Sequence, residues 1–176
     1  MFNFRNRRHP LAIVAALLTI VFLMPAMADE AATKPANVMA TLQQSGKFTT
    51  FVRLVNAAGM ARSLRSGDYT VFAPTDDAFA KLPAGTVDNW LKPANKAELV
   101  SLVKYHIVPR SLPSSMFSKT VSPMHDAETM DQRHLAFTQD TQGITVNGTA
   151  KVVEADIKAS NGVIHAIDTV LTPPSR

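Results

Sequence analysis

The stretch YTVFAPTDDAFAKLP, residues 69–83, joins an extended segment to a helix with no room for a loop between them. Tyr69, Val71 and Ala73 alternate with Thr70 and Phe72, the period of a strand, and Ser66-Gly67-Asp68 supplies the turn that leads in. Pro74 has no amide hydrogen and stops the ladder. Thr75 can then cap a helix whose first turn carries Asp76 and Asp77, two carboxylates that offset the positive end of the helix dipole. Phe79 and Leu82 face inward and Pro83 closes the segment. A chain with such a corner must hold a helical layer against a sheet, here through Phe72, Phe79 and Leu82. An acid–base pair of carboxylates is the competing reading, but adjacent helical residues point about 100° apart and do not face one another.

The flanking patterns fit that architecture. Val38, Thr41 and Leu42 recur at helical spacing up to Gly46, and Phe48, Phe51, Val52 and Val55 continue it to Gly59, with Asn37 as a first cap. Val87, Trp90 and Leu91 mark a short helix before Lys92-Pro93. Asn95 and Glu98 have the spacing of a capping box, opening a helix with Leu99, Leu102, Val103 and His106 on one face. Residues 110–131 show little periodicity. Beyond them Leu135 and Phe137 alternate, Ile144 and Val146 alternate, Asn147-Gly148 is a hairpin signal, and an apolar strand is expected from Val163 to Leu171 after the turn Ser160-Asn161-Gly162. Helices precede hairpins, which indicates an α+β fold with segregated layers.

The front of the chain follows a different logic. Arg5, Arg7 and Arg8 precede a 14-residue run from Leu11 to Met24 that is apolar except for Thr19, then Pro25 and Ala26-Met27-Ala28. This is the pattern of an export signal cleaved after Ala28, and the run is short against the roughly 20 residues that span a bilayer. The polar residues 29–36 form a leader to the domain at 37–173, and 174–176 form a tail. Losing the three arginines leaves 15 basic residues against 14 acidic ones, a net charge of +1 that provides no footprint for nucleic acid. The chain contains no cysteine, so an exported protein of this size must rely on its core rather than on disulfides. A monomer in the periplasm or outside the cell is expected.

Three ordered segments carry a resemblance. TVFAPTDDAFAKLP at 70–83, YHIVP at 105–109 and NGVIHAIDTVL at 161–171 resemble the signatures of fasciclin (FAS1) domains, and GITVNGTAKVVEADI at 143–157 fits between them. The likeness spans about residues 37–173 and is nearest to single-domain secreted bacterial members. It implies a fasciclin-like fold, a twisted β-sandwich or wedge flanked by an α-helical layer. It also implies a role in adhesion or matrix association, with a protein or glycan of a cell surface or matrix as partner, no cofactor and no catalytic chemistry. Where such domains commonly carry a glycine before the strand at Leu135, this chain has Asp131-Gln132, and Asp131 is expected to tolerate the left-handed turn.

The resemblance also nominates partner-binding residues. In animal members the tyrosine-histidine segment is tied to receptor binding, here Tyr105, His106, Ile107 and Val108; the alternative is a core histidine bonded to its surroundings. Glu154, Asp156 and Ile157 match part of an integrin-related motif, with Ala155 and Lys158 departing from it, and read best as strand and turn. Met116, Phe117 and Met124 would be apolar anchors of the 110–131 segment if exposed, and removing that segment is expected to leave the fold standing. An alternative function is carriage of a small apolar ligand or lipid in a cavity lined by Phe72, Trp90 and Phe137. His106, His125, His134 and His165 lack the spacing of a metal site, no G-x-S-x-G elbow is present, and Ala73-Pro74-Thr75 is no phosphate loop.

Overall fold

The computed structural model describes residues 36–117 and 126–174. The segments expected to be an export signal and a polar leader, up to residue 35, together with Met124 and His125, lie outside the described residues. Helix α1 (Val38–Ser45) starts where Asn37 accepts the amide of Ala40 and stops at left-handed Gly46. Helix α2 (Thr49–Ala57) follows, then strand β1 (Tyr69–Pro74) and, directly after it, α3 (Asp76–Ala80), whose Thr75 cap accepts the amide of Ala78. Helices α4 (Thr86–Trp90) and α5 (Lys96–Tyr105) complete the helical layer. Strand β2 (Ile107–Val108) leads to a 3₁₀ turn at Ser114–Phe117. Strands β3 (Asp126–Glu128), β4 (His134–Asp140), β5 (Gly143–Val146), β6 (Ala150–Ala159) and β7 (Gly162–Ile167) follow.

The strands form one mixed sheet in the order β2-β1-β7-β6-β5-β4-β3. Strand β1 sits between antiparallel β2 and parallel β7, so the three signature segments meet in space. The sheet also rolls onto itself. Three strands separate β1 from β4, about 19 Å between outer strands in a flat sheet, yet the rings of Phe72 and Phe137 lie 5.4 Å apart. Its two ends meet as well, since Met130, just after β3, donates its amide to the Ile107 carbonyl in β2 at 2.8 Å. The α+β layering expected from element order is therefore present, with the sheet curled into a wedge.

Curling creates two cores. Val71, Ala73, Ile107 and Ile164 pack against Phe48, Phe51, Leu54 and Phe79 of the helical side. Phe72, Tyr105, Val108, Leu112, Phe117, Leu135 and Phe137 fill the strand-enclosed side. Phe72 thus does not pin the helices, as the corner predicted. Strand alternation gives that task to Val71 and Ala73 and turns Phe72 to the opposite face.

Three local expectations also change. The capping box is not formed, because Glu98 accepts the Trp90 indole N–H at 3.1 Å and the Asn95 side chain donates through Nδ2 to the Asn89 carbonyl at 2.8 Å. The left-handed turn position falls on Gln132, at φ 62°, rather than on Asp131. Strand β7 ends at Ile167 rather than Leu171, because Asp168 turns aside and exchanges hydrogen bonds with the Lys151 backbone at 2.9 and 3.0 Å.

Candidate functional site

The tyrosine-histidine segment is interior. Tyr105, His106, Ile107 and Val108 expose 3%, 0%, 0% and 0% of their surface. Helix α5 ends at Tyr105, and His106 occupies its C-terminal cap before the chain enters β2. The Leu102 carbonyl can only accept, so Nδ1 of His106 carries the hydrogen and donates to it at 2.8 Å. Nε2 is left as the acceptor and takes the Leu171 amide at 3.1 Å. Burial drives the His106 pKa down to about 4, against a smaller upward effect of the Leu102 carbonyl, so the ring is neutral at pH 7. Tyr105 holds the neighbouring hairpin: its hydroxyl accepts from the Asn147 side chain at 2.8 Å and donates to the His134 carbonyl at 3.3 Å.

His165 is a counterpart with the opposite tautomer. Its Nε2–H donates to the Leu112 carbonyl at 2.8 Å, and Nδ1 accepts the Asp156 amide at 3.3 Å. Burial lowers its pKa, opposed by the Leu112 carbonyl and by the charge of Asp156. Its ring stacks on Phe72 at 5.4 Å and meets the edge of Phe117 at 5.6 Å.

Asp156 is the other half of this latch. It occupies a left-handed position (φ 57°) in the irregular stretch of β6, where the ladder with β7 shifts register twice. Its carboxylate accepts the Ser114 amide at 2.7 Å and the Ser114 hydroxyl, so it caps the 3₁₀ turn. Burial raises the Asp156 pKa, but the Ser114 bonds and the charges of His165 and Lys158 outweigh it and the net direction is down. Glu154 is exposed and pairs with Lys47 at 2.8 Å, while Ile157 packs beside the helical core.

Asp76 and Asp77 part company. The Asp76 carboxylate reaches across to α2, accepting the amides of Thr49 at 3.1 Å and Thr50 at 2.8 Å and the Thr49 hydroxyl at 2.7 Å. Phe48 offers no side-chain cap there, so Asp76 supplies it from another helix. Partial burial raises its pKa, and the hydrogen bonds from Thr49 and Thr50 more than reverse that. Asp77 is exposed.

The surface offers shallow depressions. One of about 370 Å³ is lined by Pro109, Arg110, Asp126, Glu128 and His134, with His134 Nδ1 2.7 Å from Asp126. A larger one, about 500 Å³, runs beside α5 between Lys96, Ser101, Lys104, Asp131 and Arg133. A third, about 340 Å³, shares Ser101 and Arg133 with it and continues past Trp90, Leu102, Pro173 and Pro174. The two lysines are eight positions apart on one helix, but only the fold reveals that the 131–133 turn brings Arg133 to them. Among the described residues no group of His, Asp and Glu is arranged to hold a metal ion.

Residues 46–173 match the Fasciclin domain family. The chain belongs to the fasciclin family. This fasciclin domain is 39% identical over 151 residues to protein sll1483 of Synechocystis, covering 85% of this chain and 81% of that protein. It is 37% identical over 149 residues to transforming growth factor-beta-induced protein ig-h3 of Sus scrofa, covering 84% of this chain and only 21% of that protein. In fold it is similar to a FAS1 domain pair from the insect cell adhesion molecule Fasciclin I, with a TM-score of 0.59, 22% identity, and coverage of 74% of this chain and 47% of that one.

Within this fasciclin domain the proposed apolar anchors separate. Met116 is 37% exposed, Phe117 only 3%, and Met124 lies outside the described residues. The 110–117 stretch is not a removable loop, because Leu112 and Phe117 belong to the strand-enclosed core and Thr70 clamps it. The Thr70 hydroxyl donates to the Arg110 carbonyl at 2.8 Å and accepts the Leu112 amide at 2.7 Å. Deleting it would remove core side chains, so the expectation that the fold survives its loss is corrected. The residues suggested as a ligand cavity are divided: Phe72 and Phe137 pack together in one core, and Trp90 belongs to the other.

Proposed function

We propose that this fasciclin domain acts, after export, as a monomeric, non-catalytic unit that binds a protein or glycan at a cell surface or in a matrix. One observation carries the reading: the family match runs across residues 46–173, and the solved domain pair of the same fold comes from a cell adhesion molecule. The internal chemistry supports it. His106 and His165 have both ring nitrogens engaged by backbone groups, and the carboxylates of Asp76 and Asp156 cap neighbouring turns. Contact is then left to the outer surface, including Met116 and the outer face of the helical layer. No helix among the described residues is long and apolar enough to cross a membrane.

The test is saturable binding of labelled, purified protein to intact source cells and to their extracted surface material. Met116→Glu should weaken binding several-fold with an unchanged thermal midpoint. Absence of saturable binding by the parent protein would sink the reading.

A further inference from the structure

We propose that the depression along α5 binds an acidic polysaccharide, with Lys96, Lys104 and Arg133 contacting carboxylates or sulfates on separate sugars of one chain. This rests on the surface-binding reading above and names the ligand class. Lys96 and Lys104 line the depression of about 500 Å³ together with Arg133. They lie about 12 Å apart along the helix axis. That separation suits repeated charges on a chain better than a single small anion. Neither lysine amine makes an ion pair or side-chain hydrogen bond with another described residue.

Arg133 is held in place for the same task. Its Nη1 lies 2.6 Å from Asp131 Oδ2, and the Ser101 hydroxyl donates to Asp131 Oδ1 at 2.8 Å, which fixes the carboxylate between helix and turn. The side chain stays partly open, at 19% exposure. A planar guanidinium fixed in this way presents its remaining N–H groups to an oxyanion without first losing rotational freedom. Three cations against the carboxylate of Asp131 leave this depression positive, and counting Glu98 of the adjoining depression the three cations still outnumber the two carboxylates.

The adjoining depression extends the track. Beyond Ser101 and Arg133 it offers Thr172, Pro173 and Pro174 over the buried Leu102 and Trp90, whose indole N–H is held by the Glu98 carboxylate, a shelf of mixed apolar and polar groups for sugar rings. A lipid surface fits less well. The exposed large hydrophobic residues among those described are Met116 and Val153, and neither lines this track, so nothing would insert into a bilayer.

Binding is measured on the purified protein with polygalacturonate, neutral dextran, galacturonate monomer and phosphatidylglycerol vesicles. Calorimetry gives affinities, and emission of Trp90, the chain's single tryptophan, reports the track itself. Polygalacturonate should bind saturably and weaken with added salt, and dextran should not bind. Lys96→Gln with Lys104→Gln should reduce affinity at least tenfold with an unchanged thermal midpoint, whereas Lys151→Gln with Lys158→Gln should leave it unaltered. Equal affinity of the Lys96/Lys104 variant, equal binding of dextran or of the monomer, or binding to vesicles alone would overturn the proposal. Full cell-surface binding by the Lys96/Lys104 variant would reject the track while leaving the surface reading intact; no surface binding by the parent protein rejects that reading instead.

Discussion

At the scale of single residues, two buried histidines set how the domain responds to acid. His106 and His165 each donate through one ring nitrogen and accept through the other, so protonating either ring turns an acceptor into a donor facing an N–H. For His106 the folded pKa of about 4 lies below the ordinary 6.5, so stability is fully present above pH 6.5 and is lost as pH falls toward 4. The difference corresponds to about 3 kcal/mol. His165 shifts in the same direction and adds to the loss. The carboxylates of Asp76, Asp156 and Asp168, all with lowered pKa, add theirs at still lower pH, from the ordinary carboxylate range downward. Urea midpoints should therefore decline between pH 6.5 and 4, and His106→Gln, less stable at pH 7, should show a shallower decline. A slope unchanged by that substitution would contradict the linkage. Gly162 is the other decisive single position. Its φ is 148° and an added Cβ would lie 1.9 Å from the Tyr69 carbonyl oxygen, at the start of the parallel β1–β7 pairing. Gly162→Ala should cost about 3 kcal/mol or more, measured by thermal or urea denaturation.

Two elements of this domain are capped by another element rather than by their own residues. Helix α2 has no cap of its own and takes Asp76 from α3, while the 3₁₀ turn at Ser114–Phe117 takes Asp156 from β6. Asp76→Ala should cost about 1–2 kcal/mol, whereas Asp77→Ala, at an exposed neighbour, should change the urea midpoint little. Equal effects of the two would mean that both act only on the α3 dipole. This exchange explains what sequence could and could not reveal. The strand-proline-helix corner, the Asn37 and Thr75 caps and the Asn147-Gly148 turn depend on neighbours within about four positions, so local chemistry determines them. The Asp76–Thr49 contact spans 27 positions and Asp156–Ser114 spans 42, and no local pattern encodes such partners. The Asn95–Glu98 spacing misled for the complementary reason: Trp90 offered Glu98 an indole N–H in a partly buried place.

The whole molecule depends on a sheet that closes on itself and on what fills it. Alternation in the strands identified apolar faces, but not that β1 and β4 would face each other across the enclosed core; curvature is a property of all the strands together. The 110–117 stretch was illegible for that reason. It has no period because it is neither helix nor strand for long, yet it brings Leu112 and Phe117 into the space that the rolled sheet leaves. The Phe117 ring lies 4.5 Å from that of Phe137 and 6.4 Å from that of Phe72, so it completes an aromatic cluster whose other members, Phe72, Phe137 and His165, come from β1, β4 and β7. The α5 track is a site of the same kind, since Lys96 and Lys104 are a plain solvated pair until the 131–133 turn sets Arg133 beside them. Adjacent residues then have opposite fates. Phe117→Ala should open a cavity between the two halves of the sheet and cost about 3–5 kcal/mol in urea denaturation, while Met116→Ala, at a residue 37% exposed, should cost less than about 0.5 kcal/mol. If the two substitutions proved equally mild, the stretch would be a surface loop after all, and the closure of the sheet would have to be maintained by the β-strands alone.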